Sequence, residues 1–352
     1  MKIFQKYIIY NYLKNFFIII FALEFFYVGI DLLTRYQQLP KSANLELLYV
    51  LFQAVSAINF TLPLSVVFAM IVTMMVMVKT SELVSLYSFG IGRNSVAKPL
   101  FFTSLFITVF YIFLNFTPFS YAYEYSQNIL KFKQLSIDTN NVFLKNGSQY
   151  IYIEKLDPIK QKATNISIFN VKKRDLVSIT NAKYGFYQKK NWVLYDVEKI
   201  IKPKVEALNG KGITIEKYKT LEALENFRPK IIDNIYRGKY NLSILDAIDA
   251  FKFYNTQGLD TNRIKTIIFQ QLFMPLFAPF LILIFFSKIP TISRYYNATL
   301  FSFVLSFVVI AVWGTLFLLS KLALNSVIYP ELAIMLPVFL LGLLSLYSYI
   351  KE

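Results

Sequence analysis

Gln149-Tyr150-Ile151-Tyr152-Ile153-Glu154 places an aliphatic side chain at every second position of its centre, the period of a strand with one buried face. Ile166-Ser167-Ile168-Phe169, Leu176-Val177-Ser178-Ile179 and Trp192-Val193-Leu194-Tyr195-Asp196-Val197 repeat the pattern. Turn-forming clusters divide them: Asn146-Gly147, Asp157-Pro158, Lys173-Arg174-Asp175, Lys190-Asn191 and Asn209-Gly210. Strands at this spacing with polar turns predict an antiparallel sandwich or roll. Outward from this block the period of two is lost and long apolar runs take over. A bilayer crossing needs about 20 such residues. Runs at about 16–33, 45–78 and 99–116 precede the block, and runs at 267–287, 298–320 and 332–350 follow it. The second run is too long for a straight crossing and must tilt or project, with Pro63 near its middle as a kink site. From about 242 to 257 the period is helical, with Ser243 placed to cap the start and Gly258 to end it. The expected fold class is an α+β membrane protein: six transmembrane helices, three plus three, with an inserted antiparallel β domain. Its expected segments are 1–120, 121–262 and 263–352.

Composition agrees with this reading. The chain has 352 residues, no Cys and no His, 56 % hydrophobic side chains, a formal charge of +16 and a mean hydropathy of +0.47. Without Cys or His there is no disulfide framework, no thiolate or imidazole metal ligand and no Ser-His-Asp triad. No small-residue cleavage site follows the first apolar run, so a retained span is expected there. Lys and Arg near the run ends set orientation. With the N-terminus inside, Lys2, Lys6, Lys14, Lys79, Arg93, Lys98, Lys288, Arg294 and Lys351 flank the cytoplasmic ends. Arg35, Lys41, Arg263, Lys265 and Lys321 flank the outer ones, and the β domain is then outside the cytoplasm.

Chemistry in such a chain is sought first among intramembrane charges. Glu24 lies deep in the first run, with Asp31 and Arg35 at its outer end. Positions 24, 28, 31 and 35 share one helical face. A mid-span carboxylate costs ~2.5–3.5 kcal/mol to insert, so that face should meet a protein partner or a wet cavity. Alternatively, Asp31 and Arg35 form an interfacial ion pair while Glu24 bonds a neighbouring helix. Between the second and third runs, Thr80 or Ser81 can cap a short helix over about 80–90, with Glu82 at its positive end and Gly90 as its stop. Leu83, Leu86 and Tyr87 share a face that either lies on the membrane or docks into a partner's groove. The segment 121–262 has 23 basic and 15 acidic residues, read as solvated turns and, given the topology, not as a nucleic-acid surface. No Walker motif is present, so a P-loop ATPase is excluded. Glu24 is the one deep carboxylate, which argues against a two-carboxylate membrane hydrolase.

The chain resembles the lipopolysaccharide export permease family LptF/LptG (YjgP/YjgQ) over nearly its whole length. The likeness is carried by Leu62-Pro63-Leu64 running into Ser81-Glu82-Leu83-Val84 and Ser88-Phe89-Gly90-Ile91. Tyr254-Asn255-Thr256-Gln257-Gly258, running on to Phe273-Met274-Pro275-Leu276, adds to it. Gly147-Ser148-Gln149-Tyr150-Ile151-Tyr152-Ile153-Glu154 looks closer to the LptG member. The resemblance implies a non-catalytic inner-membrane subunit of an ABC transporter in a Gram-negative bacterium, with a periplasmic jelly-roll-like β domain. Its implied partners are an LptF-like paralogue, a cytosolic ATPase dimer that binds the ATP, a periplasmic bridge protein and lipopolysaccharide bound for the outer membrane; no cofactor of its own is implied. It also implies an ATPase contact through Glu82, with Leu83, Leu86 and Tyr87 on the same helix. The substrate cavity would involve Glu24, Phe25, Asp31, Arg35 and Lys41, with Phe16, Phe17, Phe26 and Tyr27 adding to an apolar wall. The departure is at the rim, where Asp31 and Gln37-Gln38 stand where more positive charge is expected. A rival reading is a membrane-anchored periplasmic adaptor without transport activity.

Overall fold

The computed structural model describes all residues except 1, 136, 173–174, 189–190, 204–211, 225–227, 230–231, 233–240, 257, 259, 291–296 and 352. Lys173, Arg174, Lys189, Lys190, Asn209, Gly210, Gln257 and Arg294, named above, lie outside the described residues. The chain divides into two compact units. The first comprises 1–126, 242–251 and 260–352; the second comprises 127–241 and 252–259.

The first unit is helical. It contains α1 (Ile3–Arg35), α2 (Ala43–Lys79), the short α3 (Glu82–Ser88), α4 (Arg93–Leu114) and, after the sheet, α7 (Asn262–Leu272), α8 (Phe277–Lys288), α9 (Ala298–Leu324) and α10 (Leu336–Ile350). Helix α5 (Ala122–Phe132) leads into the second unit, and α6 (Ile244–Thr256) leads out of the sheet segment. Six stretches among the described residues are long and apolar enough to span a membrane: α1, α2, α4, α7 with α8, α9, and the last helix from Glu331. At 37 residues α2 is about 55 Å long, well beyond a ~30 Å hydrocarbon core. Pro63 lies within it, and the hydroxyls of Thr61 and Ser65 bond back to the carbonyls of Ala57 and Thr61 around that site. The fourth span is broken where the sequence reads Phe273-Met274-Pro275: a 3-10 turn at Met274–Leu276 separates α7 from α8. A proline there lacks the N–H that a continuous helix needs. Val66, Met70 and Met74 of α2, Phe277 and Ile282 of α8 and Val309 of α9 are fully buried and make α2 the hub of the core.

The turn before α6 confirms the sequence-level cap. Ser243 Oγ accepts from the Asp246 N–H at 3.2 Å and donates to the Asp246 carboxylate at 3.0 Å. The Tyr121 hydroxyl also donates to Asp246. Burial and this carboxylate hold the Tyr121 phenol well above its ordinary pKa.

The second unit is built on one six-stranded antiparallel sheet: β1 (Thr139–Asn146), β2 (Gln149–Asp157), β3 (Lys162–Lys172), β4 (Asp175–Gln188), β5 (Asn191–Ile201) and β6 (Thr214–Ala223). The strands pair in sequence order, so the sheet is a meander with β1 and β6 at its edges. Gly147 takes a φ of +58° in the two-residue turn between β1 and β2. Alternation puts Val142, Ile151, Ile153, Ile166, Ile168, Trp192 and Leu194 on one buried face, with Leu224, Ile232 and Phe253 packed there too. Gly185, opposite Leu194 in β5, is required by close approach: a Cβ there would lie 2.8 Å from a Leu194 methyl. The other face carries a tyrosine stack, Tyr184 on Tyr195 at 5.1 Å.

Candidate functional site

The residues singled out from the sequence fall in two places of the helical unit. The first is the seam between α1 and α2. Tyr12 donates to the Val66 carbonyl at 3.0 Å, and Asn15 donates to the Thr73 hydroxyl at 2.8 Å. Farther along, Thr61 donates to Glu24 Oε1, and Tyr49 donates to Asp31 Oδ2. Arg35 Nε closes the seam on Asp31 Oδ1 at 3.1 Å. Glu24 thus bonds a neighbouring helix through Oε1, while its Oε2 is buried with no hydrogen-bond partner among the described residues. Asp31 is divided between Tyr49 and Arg35, so the Arg35 charge is already opposed. Lys41 is exposed past the end of α1. Lys265, a further rim cation in the sequence, is engaged by Glu331 at 3.0 Å.

Much of α1 beside this seam is bare. Phe17, Phe21 and Phe26 are exposed, and Phe25 is 85 % exposed. Phe16 is not part of this wall. It is buried in the unit's own core, and Tyr27 turns partly inward to stack on Phe60 at 6.3 Å. Helix α9 presents a second bare face through Leu300, Phe303, Phe307 and Ile310.

The second place is α3. The sequence predicts a cap by Thr80 or Ser81, and neither side chain provides one. Thr80 bonds back to the Val76 carbonyl at 3.0 Å, ending α2. Ser81 takes a left-handed φ of +61°, and its carbonyl, not its hydroxyl, receives the Ser85 N–H at 3.1 Å. Glu82 occupies the first turn, where negative charge is favoured, and accepts from Tyr7 of α1 at 3.0 Å. The face shared by Leu83, Leu86 and Tyr87 turns toward the chain's own core. Leu83 is buried, and Leu86 and Tyr87 pack against the same core. The outward side of the helix is instead Ser81, Ser85, Ser88 and Phe89, the last 81 % exposed. Phe89 went unremarked in the periodicity because it follows the last helical turn. Its position just before Gly90, which ends the helix at a φ of +76°, is the signal that could have found it. Arg93 then fastens this end by donating to the carbonyls of Phe286, Ser287 and Ile289 at 2.9, 3.0 and 2.9 Å. These contacts link the start of α4 to the C-terminal end of α8.

Among the described residues no three His, Cys, Asp or Glu side chains converge on a metal-sized site. Compared with known proteins, the chain matches the family model described as lipopolysaccharide export system permease LptF/LptG over residues 6–351. No curated protein matches it.

Proposed function

The chain belongs to the LptF/LptG family of lipopolysaccharide export system permeases, a multi-pass protein of the inner membrane, and from that premise we propose that it is one membrane subunit of an ABC transporter. In this reading it pairs with a paralogous permease, takes the LptG-type place in that pair, and draws work from a cytosolic ATPase dimer. It takes lipopolysaccharide from the inner membrane and passes it through the β domain to a periplasmic bridge. Both termini and α3 are cytoplasmic, and the β domain is periplasmic. The observation that supports this most is the run of exposed apolar side chains on α1 and α9, beside the polar seam that ties α1 to α2. A span satisfied by lipid alone has no need of a polar seam beside its exposed phenylalanines. Two such walls suit a second subunit and a many-chained lipid between them. Transfer of several acyl chains from a bilayer is costly, at ~0.8 kcal/mol per CH₂, which calls for an outside source of work.

Glu82 and the exposed Phe89 are the coupling contacts in this proposal, with Ser85 and Ser88 between them. Leu83, Leu86 and Tyr87 hold the helix in place from below. Substituting Glu82→Ala should lower ATPase association or lipopolysaccharide-stimulated turnover by roughly 10-fold while membrane insertion is unchanged, the cost of losing one charged contact at an interface. Co-purification from detergent with a cytosolic ATPase, followed by lipopolysaccharide transfer in proteoliposomes, tests the whole reading. A chain that purifies without any ATPase and transfers nothing would be the adaptor instead.

A further inference from the structure

Between α4, α8 and α10 lies a half-open apolar crevice of about 490 Å³, lined by residues that include Lys98, Phe102, Phe280, Leu283, Phe339 and Leu346. We propose that it binds one acyl chain of an anionic glycerophospholipid, with Lys98 on the phosphate. The crevice follows α10 from Met335 to Tyr349, a rise of about 21 Å at 1.5 Å per residue, comparable with the ~15 Å depth of one leaflet's hydrocarbon. About 490 Å³ spread over about 21 Å leaves a mean cross-section of about 23 Å². A slot of this shape suits an extended hydrocarbon chain lying along α10.

The wall asks for hydrocarbon. Its one serine, Ser345, already donates to the Gly342 carbonyl at 2.7 Å. Gly342 lies beside the Phe280 ring in this wall. Charge enters at one end only. Lys98 is exposed there and makes no ion pair among the described residues. Its neighbours at that end are already used: Arg93 is spent on three carbonyls, and Lys351 lies over the Tyr347 ring at 5.9 Å. The same end holds Lys288, and this concentration of Lys and Arg marks the cytoplasmic leaflet in the orientation proposed above. The ligand is therefore a lipid of that leaflet, and no wall of its site comes from α1 or α9.

The test uses the chain with its partner subunits in nanodiscs of phosphatidylcholine and phosphatidylglycerol in equal parts. A trace of phosphatidylglycerol carries a photoactivatable diazirine in one acyl chain, and crosslinks are mapped by mass spectrometry. Labelling is expected on Phe339, Leu343 and Leu346, and Lys98→Gln should reduce it roughly fivefold, the attraction of one basic residue for an anionic lipid. Leu346→Trp, at a half-exposed wall position that tolerates a larger ring, should remove the crevice label while labelling elsewhere persists. Equal labelling of all spans, indifference to both variants, or equal capture of a phosphatidylcholine probe would overturn the proposal. Lipopolysaccharide transfer is followed in the same discs. Its loss with crevice labelling intact counts against the transport reading alone.

Discussion

Helices α1 and α2 are neighbours in the chain and have the same mean hydropathy of 2.3, yet 6 % of the apolar window of α1 is buried against 78 % of that of α2. Apolarity therefore says which segments enter a bilayer, not which of them becomes the core. Lipid tails are as apolar as leucine, so helices associate in a membrane through close packing and hydrogen bonds. Helix α2 carries Ala57, Thr61, Ser65, Ala69 and Thr73 at intervals of four, all buried. This ladder of small side chains lets other helices approach. Helix α1 answers with Tyr12, Asn15, Glu24 and Asp31 and leaves Phe17, Phe21, Phe25 and Phe26 outward.

The contrast can be broken at several points. The largest expected effect comes from Met74→Ala, which opens a cavity at a fully buried site of α2. It should cost about 2–5 kcal/mol, whereas Phe21→Ala on the bare face of α1 should stay within about 0.5 kcal/mol. Thermal unfolding of both variants in detergent checks the pair, and equal losses would mean that α1 is not bare in the isolated chain. Overfilling the ladder with Ala69→Leu should cost about 1–3 kcal/mol by forcing α2 from its neighbours. A neutral result would show that the small side chains are not what brings the helices together. A smaller loss than at Met74 or Ala69 is expected at the seam. Thr61→Val keeps the shape but strips Glu24 of its donor, at about 1–2 kcal/mol. Adding Glu24→Gln to that variant should restore part of the loss, which a double-mutant cycle would read directly.

The six spans, the intervening strands and the Ser243 cap were legible in the sequence, because each depends on residues within a few positions of one another. Hydropathy over 20 residues, a period of two and a Ser three residues before an Asp are all local. The ladder from Ala57 to Thr73 has a spacing of four, but hydropathy passes over it because the Val, Leu, Ile and Met around it dominate any 20-residue average. The acidic face of α1 was also readable as a face, through positions 24, 28, 31 and 35.

What occupies the space opposite each face was not readable. That Glu24 meets Thr61, that Leu83 turns into the core while Phe89 is left outward, and that Arg93 reaches the carbonyls ending α8 all depend on segments that are distant in sequence. The crevice beside Lys98 has no sequence signature either, since its walls come from α4, α8 and α10. Local composition and period determined which elements form and that they enter a membrane. Only the tertiary structure decided which side chains are spent on holding the chain together and which remain for a lipid or a partner, because that depends on which surfaces the packing brings face to face.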